Sequence, residues 1–239
     1  MRIILKTSLV AIALLIVTIA NAQDKPITFG VKVGANLSNL SGDVEDTKAK
    51  FGFNAGVTLD YALTPNLYLM TGLEFTTKGA RYDYEESITE EGETFNLSMK
   101  SKINAMYLQL PIHIGYKMDV NESAKITFHA GPYIAYGVGG KFKIDDEVKV
   151  RNGATTVTIN MKELKKEYGI SDAELPMETD TFGDEAFKRF DFGIGLGVGA
   201  EFGKLGVGLG YDFGLLNMAR SNEGKVRNMN AYLTVGYKF

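Results

Sequence analysis

The feature that most constrains the fold is an alternation of two residue types that fills the chain from Arg189 to Phe239. Apolar side chains occupy every second position, and mostly small or polar residues lie between them. Two residues is the side-chain period of a β-strand, so the segment predicts three strands, each with one apolar face. The apolar positions are Phe190, Phe192, Ile194, Leu196, Val198, Ala200 and Phe202, then Leu205, Val207, Leu209, Tyr211, Phe213 and Leu215, and finally Met229, Ala231, Leu233, Val235, Tyr237 and Phe239.

The same alternation occurs five more times upstream, which raises the number of predicted strands to eight. No apolar-phase position is charged, although 23% of the chain is charged, and the polar exceptions are Thr71, Thr77 and Asn104. Each segment is long enough to cross a bilayer at a tilt, which takes roughly 9–11 residues. The upstream strands are expected at 27–38, 51–61, 67–77, 104–116 and 126–138.

The opposite phase carries the charges, and the size of an eight-stranded barrel decides which phase points outward. The interior of such a barrel is only wide enough for side chains to fill it. The many large apolar groups cannot fit there, whereas glycines and a few charged residues can. The apolar phase therefore faces lipid. The lumen is expected to hold Lys32, Asp60, Glu74, Asp191, Glu201, Asp212 and Lys238.

The connections between predicted strands alternate between short and long. Short turns on one rim and long loops on the other are typical of outer-membrane barrels, and outward aromatic residues near both rims match their two girdles. We therefore predict an all-β fold, an eight-stranded antiparallel up-and-down transmembrane β-barrel, with both termini on the short-turn, periplasmic rim. Short turns are expected at 64–66, 119–122 and 203–204, and long connections at 39–50, 78–103, 139–188 and 216–228.

The N-terminus has the pattern of an export signal. Arg2 and Lys6 accompany the start, residues 9–19 form an apolar run, and Ala-Asn-Ala at 20–22 is a small-residue cleavage site. The apolar run is shorter than the roughly 20 residues of a transmembrane helix. We predict a cleaved signal peptide at 1–22 and a single barrel domain at 23–239, located in the outer membrane.

Composition narrows the function classes. The net charge is −3 at pH 7, which does not favour binding to nucleic acid. The chain has no Cys, so disulfides and thiol chemistry are excluded. We expect a monomer surrounded by outer-membrane lipid, with no cofactor.

Four short motifs carry a family resemblance. They are Gly-Val-Lys-Val-Gly-Ala-Asn-Leu-Ser at 30–38, Tyr-Leu-Gln-Leu-Pro at 107–111, Ala-Gly-Pro-Tyr at 130–133 and Gly-Tyr-Lys-Phe at 236–239. With these motifs the chain resembles the small outer-membrane β-barrel family of Bacteroidetes-type bacteria that includes PorT-like proteins. The resemblance implies the barrel fold and the outer-membrane location. It also implies, through the names given to family members, an accessory role in protein secretion.

The predicted lumen is the first candidate site. His113 and His129 are the only histidines and lie in the inward phase of adjacent predicted strands. Two histidines could form a metal or acid–base pair, but no carboxylate cluster shares their phase, so hydrogen bonding within a polar lumen is the preferred interpretation. Buried ions need partners. Lys32 is therefore expected to meet Asp60 or Glu74, and Lys238 to meet Glu201 or Asp212.

Three further patterns have ordinary structural interpretations. The glycines at 193–199 show dinucleotide-binding spacings, but that fingerprint needs a turn and a helix after the strand, and here the strand continues. Ser38 is a candidate nucleophile without a positioned base. The acidic residues of the long connections could bind a divalent cation or a protein partner, and a solvated surface loop is the alternative. In the connection 78–103 they are Asp83, Glu85, Glu86, Glu90, Glu91 and Glu93.

These observations favour a structural or interaction role exerted through the long outer connections, without catalysis. A narrow channel or transporter is the first alternative, and opposed charges in a small lumen argue against it. A membrane enzyme that uses His113 or His129 is the second. An accessory role in secretion, implied by the PorT-like resemblance, is the third.

Overall fold

The computed structural model describes residues 26–44, 46–90, 93–172, 174–183, 187–220 and 224–239. The predicted signal peptide lies outside the described residues. Among the described residues, none of the helical segments has the length and apolar character needed to cross a membrane.

The described chain forms eleven strands and one helix. Alternating apolar and small residues drive the strands, while the helix follows an Asn cap. In chain order the elements are β1 (Ile27–Gly42), β2 (Thr47–Ala62), β3 (Leu67–Lys78), β4 (Ala80–Glu90), β5 (Glu93–Asn121), β6 (Ala124–Asn152), β7 (Thr155–Asn160), α1 (Met161–Tyr168), β8 (Glu178–Asp180), β9 (Phe190–Phe202), β10 (Leu205–Gly214) and β11 (Val226–Lys238).

Eight of these strands form a closed antiparallel ring. Going around it, β1 pairs with β2, then β3, β5, β6, β9, β10 and β11, and β11 pairs back with β1. The closing seam runs from Gly30 opposite Lys238 to Gly42 opposite Val226. Each predicted strand corresponds to one strand of the ring. The prediction of an eight-stranded barrel is therefore confirmed.

The two faces of the ring are as the sequence predicts. The apolar phase points outward, with Val33 61% and Leu209 56% exposed, whereas Asp191 and Asp212 in the opposite phase are buried. Such an exposed apolar belt is tolerated only in lipid. Thr77 is an exception, because it is buried, and its hydroxyl accepts a 2.9 Å hydrogen bond from the Phe53 backbone N–H.

The short turns differ from expectation at one place. The Gly203-Lys204 turn is as predicted, and Gly203 there has the positive φ of +59° that glycine accommodates without strain. The connection expected at 119–122 is shorter, because β5 continues to Asn121 and β6 begins at Ala124. The turn is capped by a side chain, since the Oδ1 atom of Asn121 accepts a 2.9 Å hydrogen bond from the Ser123 backbone N–H.

The long connections contain more regular structure than a solvated loop would. Strand β5 starts at Glu93 and β6 ends at Asn152, so both extend well past the barrel, and β4 and β7 pair with these extensions. We call β4, residues 93–102 of β5, residues 141–152 of β6, and β7 the outer sheet. The connection after β7 contains the helix α1, and the Asn160 side chain caps it by accepting from the N–H groups of Lys162 and Glu163.

Candidate functional site

Charged side chains close the lumen at the periplasmic rim. The Lys238 ammonium lies 2.5 Å from a carboxylate oxygen of Asp60 and 2.5 Å from one of Glu201. Lys117 approaches the same two carboxylates at 3.4 and 3.3 Å. Two bases and two acids therefore neutralise one another in a single cluster, which offsets the cost of removing each ion from water.

The middle of the lumen holds three polar pairs. The Lys32 ammonium lies 2.5 Å from a carboxylate oxygen of Glu74. The Gln109 side-chain amide donates a 3.0 Å hydrogen bond to the Asp212 carboxylate. The Nδ1 atoms of His113 and His129 are 2.9 Å apart, with the rings stacked. Each pair joins side chains from different strands, so the pairs tie the wall of the barrel together. A cavity of about 110 Å³ lies between this level and the periplasmic cluster, lined in part by Lys32 and His129.

The outer third of the lumen is closed to bulk solvent, and it is called dry in that sense. Lys78 and Asp191 are 0% exposed, and their charged groups are 3.5 Å apart. The Lys78 ammonium lies 4.3 Å from the ring centroid of Tyr133 and 5.5 Å from that of Tyr107. The Asn228 amide donates a 2.8 Å hydrogen bond to Asp191. The ammonium thus lies near one carboxylate and two aromatic faces, away from bulk solvent.

An apolar plug covers this buried ion pair. Phe182 and Met218 come from the long connections and fold back over the barrel mouth, where both are buried. The Phe182 ring meets Tyr107 edge to face at 5.4 Å, and the Tyr107 hydroxyl donates to the Met218 sulfur at 3.2 Å. Glycine at 137 makes room for Phe182, because a Cβ there would lie 2.3 Å from the ring.

The structure brings together most, but not all, of the pairs expected from the sequence. Lys32 contacts Glu74, and Lys238 contacts Glu201. Asp60 joins Lys238 rather than Lys32, and Asp212 bonds Gln109 rather than a lysine. The lumen residues that sequence reasoning missed as partners are Lys78, Lys117 and Gln109. The sequence places Lys78 and Lys117 in the inward phase at strand ends, but it does not indicate which carboxylate each of them meets.

The two histidines are joined by a hydrogen bond between their Nδ1 atoms. A hydrogen bond between the two Nδ1 atoms needs one imidazole to donate and the other to accept. Among the described residues, no group of three or more His, Cys, Asp or Glu side chains is arranged to hold a metal ion. The geometry therefore supports hydrogen bonding between His113 and His129 as the role of this pair.

Lumen glycines allow a direct test of how tightly the interior is packed. A Cβ at position 210 would lie 2.4 Å from the Tyr232 ring, whereas a Cβ at position 206 would meet only the Ala200 carbonyl at 3.9 Å. We expect Gly210→Ala to destabilise the barrel by about 1–3 kcal/mol through overpacking. Gly206→Ala should change stability by less than about 0.5 kcal/mol. Urea unfolding in lipid vesicles measures both, and equal values would contradict the packed lumen.

The outer sheet has one apolar face. Residues directly opposite in antiparallel strands share a face, so the register places nine apolar side chains together across the four strands. Tyr84, Ile88 and Val157 are 46%, 48% and 56% exposed. On β4 and β5 this face continues that of Tyr82 and Ile103, so it looks toward the barrel axis. The nine residues are Tyr84, Ile88, Phe95, Leu97, Met99, Val148, Val150, Val157 and Ile159.

The acidic residues of the β4–β5 hairpin are spread over both faces. Asp83 points to the polar face and lies 2.6 Å from Lys48. The hydrogen bond from Lys48 lowers the pKa of Asp83, and the same bond raises the pKa of Lys48. Glu86 points to the apolar face and accepts a 2.7 Å hydrogen bond from the Tyr84 hydroxyl. Glu91 lies outside the described residues.

Comparisons with known proteins agree with this architecture. A family model described as "Outer membrane protein beta-barrel domain" matches residues 21–220. A search of curated proteins found no match. Solved structures with similarity include Ail of Yersinia pestis, at 13% identity and a TM-score of 0.34, covering 89% of this chain and 98% of that one. OprG of Pseudomonas aeruginosa has 14% identity and a TM-score of 0.38, with coverages of 90% and 97%. Likeness at this level carries no conclusion about ligands or partners.

Proposed function

This chain belongs to the outer membrane protein beta-barrel domain family, and we propose that it is a closed, non-catalytic barrel that presents its outer sheet to a macromolecular partner. The barrel would supply a rigid anchor in the outer membrane, and the apolar face of the outer sheet would supply the contact. The narrower PorT-like role, as an accessory of protein secretion, is a version of this proposal in which the partner belongs to an export system.

The observation that carries the proposal is the exposed apolar face beyond the membrane belt. Large apolar side chains grouped on an exposed surface commonly mark an interaction site. Here the face lies on strands held by long ladders, since β4 pairs with β5 over ten positions from Arg81–Lys102 to Glu90–Glu93. A surface built on paired strands is pre-organised, so little conformational entropy is lost on binding.

The dry outer third of the lumen supports a closed barrel. Lys78, Asp191, Tyr107 and Tyr133 fill one level of the interior, and each is less than 2% exposed. An ion moving along the axis would have to displace this layer and the plug of Phe182 and Met218 above it. The enclosed histidine pair, with His113 2% exposed, likewise favours a structural over a catalytic role.

Site-specific photo-crosslinking tests the interaction surface. A photoreactive residue replaces Val157 on the apolar face, and in a matched control it replaces Thr156, the next residue on the opposite face of β7. After irradiation of native outer membranes, we expect a discrete adduct from position 157 and a much weaker one from position 156. Ile88→Asp, which places a charge on the same apolar face, should remove the adduct at position 157. Adducts of equal strength from the two positions would contradict the proposal.

Planar-bilayer recording tests the closed lumen. We expect no stable ohmic conductance from the purified, folded protein, because the layer around Lys78 excludes water. A porin reconstituted in parallel shows that insertion was efficient, and heat-modifiable gel mobility shows that the barrel was folded. Stable, concentration-dependent conductance steps would instead support the channel alternative.

A further inference from the structure

Four basic residues form a row that crosses the polar face of the outer sheet and ends on the adjoining part of β2. Lys48 on β2 lies opposite Arg81 on β4, Arg81 lies opposite Lys102 on β5, and Lys102 lies opposite Lys143 on β6. Directly opposed side chains in antiparallel strands have Cβ atoms about 4.5–5.5 Å apart, and like charges in such positions repel. We call these four residues the basic row. An anion bound over the basic row would therefore stabilise it, because it would offset the repulsion between the opposed basic side chains.

The two ends of the basic row are neutralised, but the centre is not. Lys48 pairs with Asp83, and Lys143 pairs with Glu178. Within the described ranges, no carboxylate lies within 4.0 Å of Arg81 or Lys102. The Arg81 guanidinium is oriented rather than neutralised, because its Nε and one terminal nitrogen donate to the Ala49 carbonyl at 3.2 and 2.9 Å.

A cleft of about 410 Å³ lies over this centre. Four basic and two acidic side chains line it, so it carries an excess of positive charge. Three of these bases, Lys48, Arg81 and Lys102, belong to the basic row, and the fourth is Lys100. Lys100 is exposed and also lacks a carboxylate within 4.0 Å in the part of the chain that the structure describes. Guanidinium and ammonium groups that converge on an open cleft are suited to phosphate oxygens.

The height of the basic row places it at the lipid headgroups. Phe51, 70% exposed, belongs to the outward apolar belt of β2, and Lys48 lies three residues farther out on the same strand. At about 3.4 Å per residue and a tilt of roughly 40°, Lys48 stands about 8 Å above Phe51. The headgroup layer is roughly 5–8 Å thick on each side of the hydrocarbon core. A residue about 8 Å above the apolar belt therefore lies in the outer part of this layer.

From this geometry we propose that the basic row binds the phosphate groups of an outer-leaflet lipid headgroup. The lipid is the chosen source of the phosphate because the row borders the apolar belt, so acyl chains can lie along the barrel wall while the headgroup fills the cleft. Such contacts would fix the depth and rotation of the barrel in the leaflet. This site is on the opposite face of the outer sheet from the proposed partner surface, and the two can therefore be tested separately.

Binding of fluorescent lipid A to the folded protein in detergent micelles tests the proposal. The double variant Arg81→Gln/Lys102→Gln removes the two unneutralised central charges. Each basic residue near an anionic lipid surface is worth about 1 kcal/mol, or about fivefold in affinity, so the variant should bind roughly 25-fold more weakly. The matched control Lys149→Gln/Arg151→Gln removes two exposed charges from the same face of β6, farther from the membrane, and should change affinity less than about twofold.

Three further results test the role of the phosphates, their source and the effect of overall charge. Lipid A stripped of its phosphates should bind the wild-type protein no better than it binds the double variant. Inorganic phosphate should fail to displace lipid A at concentrations that leave the protein folded, and complete displacement would overturn the assignment to a lipid. Equal weakening by the control variant would reduce the effect to overall charge and would also overturn the proposal.

A stability measurement guards against misfolding of the variant. Without lipid A, the double variant should unfold at the same or a slightly higher urea concentration than wild type, because it relieves repulsion between opposed bases. Added lipid A should raise the unfolding midpoint of wild type and of the control variant, but not that of the double variant. A double variant that is stabilised by lipid A as strongly as wild type would refute the proposed site.

Discussion

Replacing Lys78 with Met is expected to lower the free energy of unfolding by about 3–5 kcal/mol, the cost typical of breaking a buried ion pair from one side. Lys78 and Asp191 are both 0% exposed, so the variant leaves the Asp191 carboxylate without its cation and without water. The aromatic faces of Tyr107 and Tyr133 cannot replace the ammonium, because they are themselves electron-rich. Reversible urea unfolding in lipid vesicles, followed by tyrosine fluorescence, measures the change.

Two companion variants show whether the burial of the ion pair sets this cost. Adding Asp191→Asn to Lys78→Met removes the stranded charge and should recover most of the loss. Lys32→Met breaks the ion pair between Lys32 and Glu74, whose side chains are 14% and 10% exposed, respectively. Because Lys32 also borders the lumen cavity, this variant should lose less free energy of unfolding than Lys78→Met. Equal losses for Lys78→Met and Lys32→Met would show that the outer third of the lumen is not dry.

Replacing Leu209 with Arg is expected to destabilise the folded barrel by about 2–4 kcal/mol, because the charge would face lipid near the bilayer midplane. Leu209 lies at the middle of β10 and is 56% exposed. Leu205 is equally exposed at 56% but begins the same strand at the periplasmic rim. Leu205→Arg should cost only about 0–1 kcal/mol, since its charge can reach the interface.

The two arginine variants have the same residue change, strand and exposure, so only depth differs between them. Folding equilibria in vesicles of fixed lipid composition give both free energies. A cost that is the same at both positions would mean that depth in the membrane does not matter, and the apolar phase would then not be facing hydrocarbon. A cost that is larger at Leu205 would place the membrane belt elsewhere on the barrel.

Much of the barrel could be predicted because its determinants are local. A period of two defines each strand, and the absence of charge from one phase identifies the lipid face, whatever the neighbouring strands do. The ion pairs were harder to predict. Lys238 had Glu201 on β9 and Asp212 on β10 as candidate partners, and only the register shows that it contacts Glu201 together with Asp60.

The outer sheet was missed for a physical reason as well. In residues 80–102 and 139–160, charged residues such as Glu86 and Asp146 fall in the apolar phase and interrupt the alternation, so the sequence by itself predicts connections there rather than strands. Their strand structure depends on pairing between the two segments, such as Leu97 with Val150 and Met99 with Val148. Pairing of this kind joins segments that are far apart in sequence, and no single segment specifies it.

By itself, therefore, the sequence determined the number of barrel strands, their lipid-facing and lumen-facing sides and the phase of most lumen charges. Tertiary structure alone decided which of these charges meet, how Phe182 and Met218 seal the mouth, and how Lys48, Arg81, Lys102 and Lys143 come into one row. The reason is that a strand's two faces follow from its own residues. Contacts across a closed barrel depend on the relative shift of every strand pair around the ring.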